Sequence, residues 1–441
     1  MTVIDKFHRM EVKHSLFKLG DLDDLPVWDI LRYNIYLKYY YPEKDRLKFE
    51  MKSTRTFQDF IIFIKRCIIS FVLLLTRRGE NVVFTSSRYC NENGQYFDIS
   101  AQAIIETLKS NCFIVEPCLK RKIKNVFFYD FSNILRRFYK KNVLDSEDFK
   151  NIQNALEDEF GKCLITYKEA NQLLLNFNSD FAFYYCLFKL KSTKKIFISL
   201  GNPKALIAVS KKLKIVSHLI QHASIEFDSI DLSYPNYVNK NYRIIFPDYI
   251  LTYGDYWCKN IKGPTKEIIS IGNDYFNRKY LVETDNSILI ISTIIHGTEL
   301  KILVKEMAER RKDLIFIYKL HPNEFNFFQE YRNFFIDQMN VRVITDEIDT
   351  SNLIAKSRLV ILIVSTVLYE ALNQNKKVAV YKKINYERQL HLLGLKNLYF
   401  FSDVNEVFDI YSKESFVEDL KFYEKSNWNN IKRILEINFD K

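Results

Sequence analysis

Two short motifs in the second half of the chain have the residue types that hold phosphate groups. In the first, Lys319, His321 and Pro322 follow the apolar run LIFIY, and a helical pattern begins shortly after them. An ammonium, an imidazole and the N–H groups of a helix N-terminus together attract an anion. A histidine here could also protonate a departing phosphate. The motif predicts a phosphate or diphosphate site, with a histidine that only caps the strand as the alternative.

The second motif reads STVLYEAL and follows the apolar run RLVILIV. Ser365 and Thr366 begin a predicted helix, where hydroxyl and backbone N–H groups can hold phosphate oxygens. Glu370 comes four residues after Thr366 and therefore shares its helical face, so it could accept hydrogen bonds from ribose hydroxyls. Ordinary capping and a solvated glutamate are the alternative. Two such motifs at strand ends favour nucleotide binding.

Thr293, His296 and Gly297 form a third group, after the first predicted strand of the second domain. A glycine at the start of a helix lets a ligand approach the backbone closely. The chain contains neither G-x-G-x-x-G nor G-x-x-x-x-G-K-[ST], which weakens a classical dinucleotide-binding or NTPase interpretation. We expect these three residues to contact the same nucleotide.

A parallel sheet would bring these motifs together, and the sequence predicts one. After residue 80, short β-rich apolar runs alternate with helical patterns such as residues 298–311. The predicted strands are residues 81–85, 112–116, 195–199, 215–222, 249–253, 268–271, 287–292, 314–320, 341–345, 359–364 and 377–381. The predicted fold class is α/β, with two Rossmann-like doubly wound domains in tandem. Ligands of such sheets bind outside the carboxyl ends of the strands.

The predicted domains are a helical N-terminal arm over residues 1–80, a first domain over 81–238, a second over 239–403 and helices over 404–441 that pack back on the first domain. The boundary is placed in residues 232–246 because that stretch is polar and contains proline. The length of 441 residues and a hydrophobic content of 47% suit a globular protein with more than one core.

Cysteine usage and the N-terminus predict a cytoplasmic protein. The seven cysteines include no C-x-x-C pair, which is typical of buried free thiols in a reducing compartment. The first residues, MTVIDKFHRM, lack the apolar region of a secretory signal.

The charge is basic and localised. The chain has 65 basic and 54 acidic residues, a net charge of +11, and residues 51–141 hold 16 basic and 7 acidic side chains. Such a region suits an anionic membrane surface, a nucleic acid or an acidic glycan. Residues 57–78, FQDFIIFIKRCIISFVLLLTRR, favour a helix lying on the inner leaflet of the cytoplasmic membrane, with a buried core helix as the alternative. We expect no nucleic-acid partner, because the positive charge is the only feature of the sequence that would support one.

The two motifs of the second half resemble a known family. Lys319-x-His321-Pro322 and Ser365-Thr366-x-x-x-Glu370-Ala371-Leu372 resemble the HP and Ser/Thr motifs of bacterial surface-polysaccharide glycosyltransferases with the GT-B fold. The greatest similarity is to capsule and lipopolysaccharide Kdo transferases and to polysialyltransferases that use CMP-activated sugars. CDP-glycerol glycerophosphotransferases also carry K-x-H-P. The resemblance covers mainly residues 210–385 and implies two Rossmann-like domains facing across a cleft.

The resemblance extends to two elements of the first half. Gln221-His222-Ala223-Ser224 is similar to the Q-H-G or W-H-G loop of these enzymes, with Ala223 in place of the glycine. Ser86-Ser87-Arg88 and the following Tyr96 and Asp98 look like the acceptor-side loop. In related inverting transferases an acidic residue of this domain is the base, which makes Asp98 a candidate, with helix capping as its alternative.

The resemblance implies a peripheral membrane glycosyltransferase that moves a CMP-activated acidic sugar, such as sialic acid or Kdo, to a growing capsule, O-antigen or lipooligosaccharide chain. Its partners would be a nucleotide-sugar donor and an oligosaccharide or glycolipid acceptor. Lys319 and His321 would neutralise the departing phosphate, and Asp98 or His222 would deprotonate the acceptor hydroxyl. No metal or other cofactor is expected, and Asp21-Leu22-Asp23 is interpreted as helix capping.

Three other functions stay open at this point. A CDP-polyol phosphotransferase would use almost the same phosphate-binding residues. A sugar-nucleotide epimerase on the same scaffold fits the apolar segment less well. A basic nucleic-acid-binding protein is the third alternative.

Overall fold

A computed structural model describes residues 2–22, 25–40, 57–76, 79–87, 89–90, 96–116, 127–128, 144–235, 244–278, 280, 282–293, 297–345, 349–383 and 386–436. Two of the predicted site residues, Arg88 and His296, lie outside these ranges. The chain divides into two compact units. The first unit comprises residues 1–272 and 426–441, and the second comprises residues 273–425.

The first unit contains a parallel sheet of seven strands among the described residues. The strands of this unit are β1 (Asp21–Leu22), β2 (Leu25–Pro26), β3 (Asn81–Phe84), β4 (Tyr89–Cys90), β5 (Tyr96–Phe97), β6 (Cys112–Glu116), β7 (Phe127–Phe128), β8 (Lys195–Ile198), β9 (Val216–Ile220), β10 (Tyr249–Thr252) and β11 (Glu267–Ser270). The sheet order is β11-β10-β9-β8-β3-β6-β7, while β1–β2 and β4–β5 are antiparallel pairs.

The second unit contains six parallel strands among the described residues. They are β12 (Ser287–Ile291), β13 (Ile315–Lys319), β14 (Val341–Ile344), β15 (Leu359–Leu362), β16 (Lys377–Tyr381) and β17 (Leu398–Phe401), in the order β14-β13-β12-β15-β16-β17. In chain order this is 3-2-1-4-5-6, the doubly wound arrangement. The central strands are continuous apolar runs because helices cover both faces of such a sheet.

Helices alternate with many of the strands in both units. They are α1 (Val3–Lys13), α2 (Val27–Tyr40), α3 (Phe57–Thr76), α4 (Gln102–Leu108), α5 (Ser146–Phe160), α6 (Tyr167–Lys191), α7 (Lys204–Lys212), α8 (Gly297–Arg310), α9 (Phe328–Phe334), α10 (Thr350–Lys356), α11 (Val367–Asn373), α12 (Val404–Ser412) and α13 (Trp428–Glu436). Local sequence explains several ends. Thr166 and Glu169 form a capping box at the start of α6, and Gly161 ends α5 in the left-handed conformation.

The predicted fold class is confirmed: the chain is α/β, with two doubly wound, Rossmann-like domains, which is the domain composition of the GT-B fold. The predicted strands agree with the observed ones within two residues at each end. β17 and the two-residue strands β1, β2, β4, β5 and β7 were not predicted from the sequence. The facing of the two domains across a cleft stays a prediction.

The boundary between the units lies at residues 272 and 273 and not at 238 and 239. Residues 232–246 are not the boundary, because β10 and β11 follow them in the chain and extend the first sheet beyond β9. At the C-terminus, α12 belongs to the second unit, where Val404 and Val407 join the core, and only α13 packs on the first. There Ile431 and Ile434 are fully buried beside α4.

The predicted N-terminal arm is part of the first unit. Buried ionic contacts attach its helices α1 and α2 to each other and to the rest of the first unit. Arg32 of α2 donates to Glu11 of α1 and to the carbonyl of Ser233 at 2.8 Å, and Lys204 at the start of α7 donates to Asp29 at 3.0 Å. Arg32 and Glu11 are both almost completely buried. Two charges so far from water are tolerated because each is paired.

Among the described residues, no helix has the length and hydropathy needed to cross a membrane. The cysteines with described side chains are free thiols: Cys67, Cys112, Cys163, Cys186 and Cys258. The expectation that such thiols are buried holds for Cys112 and is wrong for Cys186, which is exposed.

Candidate functional site

The candidate nucleotide site lies at the carboxyl ends of three adjacent strands in the second unit. Ile291 at the end of β12 pairs with Lys319 of β13, and Ile290 pairs with Ile361 of β15 on the other side. Ser292 continues the sheet by donating its N–H to the Lys319 carbonyl at 3.0 Å. The strand order reverses between β12 and β15, and ligands of open α/β sheets bind at such a switch point. The topology therefore brings all three predicted motifs to one sheet edge.

Glu324 connects the loops at this edge. One carboxylate oxygen accepts hydrogen bonds from the Ser292 hydroxyl at 3.0 Å and the Tyr331 hydroxyl at 2.6 Å, and the other accepts the His321 N–H at 3.0 Å. Glu324 is almost fully buried. Sequence reasoning missed it, although a glutamate three residues after a helix-capping residue is the signal of a capping box. The side chain fixes the loop that carries Lys319 and His321.

His321 has a defined tautomer because it caps the following helical turn. Its Nδ1 accepts the N–H of Asn323 at 3.1 Å. A ring nitrogen that accepts a hydrogen bond has no proton, so the neutral ring carries its proton on Nε2. A doubly protonated ring would lose this bond. His321 therefore does cap this turn, through its Nδ1, and this bond orients the Nε2–H as a hydrogen-bond donor.

Lys319 and Gly297 complete this side of the site. Lys319 is 8% exposed, and its ammonium lies 5.8 Å from the centre of the Phe325 ring. A Cβ atom at Gly297 would come within 2.3 Å of the Tyr331 hydroxyl and 2.7 Å of Glu324 Oε1. A glycine is thus needed here because the Tyr331 and Glu324 side chains occupy the space, and not because a ligand does. Thr293 is half-buried at the end of β12.

On the other side of the switch point, Ser365 caps α11 by accepting the Val367 N–H at 3.2 Å. Thr366 is helical in its backbone and makes no such cap. Glu370 is not the solvated charge of the alternative interpretation, because it is 7% exposed. Burial, with a smaller contribution from the negative charge of Asp349, raises the pKa of Glu370 to about 8. The protonated carboxyl can both donate and accept at neutral pH.

In the first unit, Asp98 organises the loop after β3. It accepts the N–H groups of Ser86 at 2.8 Å, Ser100 at 2.8 Å and Ala101 at 3.2 Å. The last two lie in the turn before α4, whose N-cap residue is Ala101 and has no side-chain cap, so Asp98 holds this turn and is not the helix N-cap. Burial raises the pKa of Asp98, and the Ser86 hydrogen bond opposes that shift. Tyr96, in β5, is half-buried.

A second buried carboxylate at this sheet edge was not predicted. Glu116, the last residue of β6, accepts the hydroxyl of Thr85 at 2.7 Å and the N–H of Ser87 at 2.9 Å. It is fully buried. Together with Asp98 it fixes the backbone of residues 85–87. The signal available in the sequence was an acidic residue at the carboxyl end of an apolar strand.

His222 lines a small pocket in the first unit, together with Gly201, Gln221, Ser224 and Asp231. Gln221 holds its loop by donating to the Ala223 carbonyl at 2.9 Å and accepting the Tyr253 N–H at 2.8 Å. The His222 ring lies against Gly201, since a Cβ there would be 3.6 Å from it. Ala223 is not among the residues with positive φ, so this loop does not need a glycine at that position.

No group of three His, Cys, Asp or Glu side chains placed to hold a metal ion occurs in the part of the chain that the structure describes. Asp21 lies in β1 and not at a helix end, contrary to the predicted capping role, and Asp23 is outside the described residues.

Comparisons with known proteins give matches only among solved structures, since no protein-family model and no curated protein match the chain. UDP-GlcNAc 2-epimerase from Methanocaldococcus jannaschii, with UDP-GlcNAc and UDP, is 13% identical, covers 80% of this chain and 98% of its own, and has a TM-score of 0.47. The Neisseria meningitidis enzyme bound to UDP-GlcNAc is 15% identical, with coverages of 81% and 98% and a TM-score of 0.48. MurG from Acinetobacter baumannii is 8% identical, with coverages of 76% and 91% and a TM-score of 0.38.

Proposed function

We propose that this protein is a glycosyltransferase that binds a nucleotide sugar in its second unit and transfers the sugar to a hydroxyl of a growing glycan. The observation that supports the proposal is the topology, which puts Lys319 at the end of β13 and Ser365 just after β15, on the two sides of β12 at the switch point. We propose a CMP-activated acidic sugar as the donor, on the strength of the K-x-H-P and Ser-Thr motifs.

The donor side has a distinct role for each group. The Lys319 ammonium and the His321 Nε2–H would bind the phosphate oxygens and stabilise the negative charge that grows on the leaving CMP. His321 acts as a hydrogen-bond donor and not as a general acid, because its Nδ1 is engaged as an acceptor. The neutral carboxyl of Glu370 would bind ribose hydroxyls without repelling the phosphate. These groups can stabilise the departing nucleotide without a metal ion.

On the acceptor side, we propose His222 as the base in preference to Asp98. The Asp98 carboxylate is 5% exposed and already accepts three backbone N–H groups, so proton uptake there would disturb the loop it holds. His222 is exposed in the pocket beside Gly201. A histidine titrates near neutral pH, which suits a general base for a sugar hydroxyl.

Calorimetric titration with CMP, CDP and UDP tests the donor assignment. His321→Asn keeps an oxygen that can accept the Asn323 N–H but removes the Nε2–H donor. We expect CMP affinity to fall about 10- to 100-fold, the effect of losing one hydrogen bond to a charged group. His14→Asn, the same change at a half-buried histidine that is paired with Asp158 in the first unit, is the matched control. Unchanged affinity in His321→Asn would refute the site.

Preference for another nucleotide separates the remaining alternatives. Tighter binding of CDP than of CMP, together with release of CMP from a CDP-polyol, would assign a phosphotransferase. Tighter binding of UDP would refute the CMP-sugar donor. For the transfer step, His222→Gln is expected to keep CMP affinity and abolish transfer to a glycan acceptor, measured as CMP release. Normal turnover in that variant would exclude His222 as the base.

A further inference from the structure

The helix α3 presents a wide apolar face to solvent. Six large apolar side chains between residues 64 and 75 are 42% to 70% exposed: Ile64, Ile68, Ile69, Phe71, Val72 and Leu75. Soluble proteins rarely expose a contiguous apolar patch of this kind unless it is an interaction surface. We therefore expect this face to be a binding surface.

The exposed and buried residues separate cleanly around the helix axis. At about 100° per residue, Phe71, Ile64, Leu75, Ile68 and Val72 fall within an arc of roughly 100°, and the sixth residue, Ile69, lies about 60° beyond Val72. The opposite side holds Ser70 and Leu73, which are buried against the first unit. Lys191 of α6 donates to the Leu73 carbonyl at 3.1 Å and fixes the C-terminal end of the helix. Among the described side chains of residues 64–76, those buried against the first unit thus lie on one side of the helix, so the buried-core interpretation does not hold for this part of the segment.

Charge identifies the occupant. Lys65 is exposed at one border of the apolar arc, and residues 64–76 contain no acidic residue. The helix α3 has two basic residues, Lys65 and Arg66, and one acidic residue, Asp59, and the stretch of sequence that contains it, residues 51–141, has 16 basic and 7 acidic side chains. An excess of positive charge beside an apolar face complements anionic lipid headgroups over acyl chains. The same excess would repel a second copy of the chain brought against this face.

We propose that the exposed face of α3 docks on an anionic lipid bilayer. The helix lies parallel to the membrane plane, with the apolar arc at the level of the upper acyl chains and Lys65 among the phosphates. The 20-residue helix is roughly 30 Å long, so it can immerse its whole exposed stripe in this orientation. The first unit stays in the aqueous phase because its contacts with α3 lie on the opposite side.

Vesicle sedimentation of the full-length protein tests this docking. Vesicles of phosphatidylcholine mixed with phosphatidylglycerol are compared with vesicles of phosphatidylcholine alone. We expect the protein to sediment with the anionic vesicles, less so at high salt, and weakly with the neutral ones. The double substitution Ile68→Glu and Leu75→Glu is expected to lower the partition coefficient at least about tenfold. Both residues are at least 60% exposed, so folding is retained, as an unchanged unfolding temperature would show.

Two further variants make the test specific. The matched control, Ile336→Glu with Met339→Glu, changes residues that are 70% and 94% exposed in the second unit and should leave vesicle binding unchanged. Lys65→Glu should weaken binding to the anionic vesicles and leave the weak binding to neutral ones unaltered. The proposal is overturned if the wild-type protein stays in the supernatant, or if the Ile68/Leu75 variant sediments like wild type. A vesicle-independent dimer that this variant dissociates would assign the face to a second copy instead.

Discussion

The buried carboxyl of Glu370 gives the most quantitative prediction, a stability that depends on pH. Its pKa is about 8 in the folded protein, against 4.5 for an unperturbed glutamate, and burial is the main cause. Between these two pH values the folded state holds a proton that the unfolded chain has lost. Stability from this group is therefore complete below about pH 4.5 and is lost as the pH rises through about 8. Since a pKa difference of one corresponds to about 1.4 kcal/mol, the whole loss is roughly 5 kcal/mol.

Glu370→Gln removes the ionisation and keeps the shape and the hydrogen bond that Ser351 donates to this side chain. We expect the variant to match the wild type below about pH 4.5 and to be more stable above about pH 8, by up to roughly 5 kcal/mol. Calorimetric unfolding across this pH range measures the difference. Because the chain has two units, the transition of the second unit is followed separately.

The control for this experiment is Glu309→Gln, which removes an exposed carboxylate from α8 of the same unit. It should change stability little and equally at every pH. If the difference between Glu370→Gln and wild type were independent of pH, Glu370 would have an ordinary pKa in the folded protein. The argument for a neutral ribose-binding carboxyl would then fail as well.

Two further substitutions test contacts within a single unit, one in the second unit and one in the first. Gly297→Ala should weaken CMP binding about tenfold, because its Cβ displaces Tyr331 and Glu324, and added Tyr331→Phe should restore part of the affinity in calorimetric titration; wild-type affinity in the single variant would contradict this. Arg32→Met should destabilise the first unit by about 3–5 kcal/mol, because it leaves the buried carboxylate of Glu11 unpaired. Added Glu11→Gln should recover much of that loss in denaturant unfolding, and a larger loss in the double variant would refute the explanation.

Local patterns in the sequence determined most of the fold. The strands β3, β6, β12 and β16 are runs of apolar, often β-branched residues, and such runs form buried parallel strands wherever helices can cover both faces. Because ligands bind at the carboxyl ends of such strands, the candidate residues Lys319 and Ser365 could also be found from the sequence. The end of the first unit could not be found in this way. Whether β10 and β11 extend the first sheet or begin another depends on pairing partners distant in the chain.

The chemistry of the candidate site was decided only by the tertiary structure. Glu324 accepts a hydrogen bond from Ser292, 32 residues away, and the negative charge of Asp349 contributes to the raised pKa of Glu370. Neither contact leaves a periodic signal in the sequence. Hydrogen bonding and burial depend on which side chains meet after folding, whereas helix and strand formation depends on neighbours a few residues apart. The sequence therefore predicts where the candidate groups lie, and the folded protein determines their protonation and orientation.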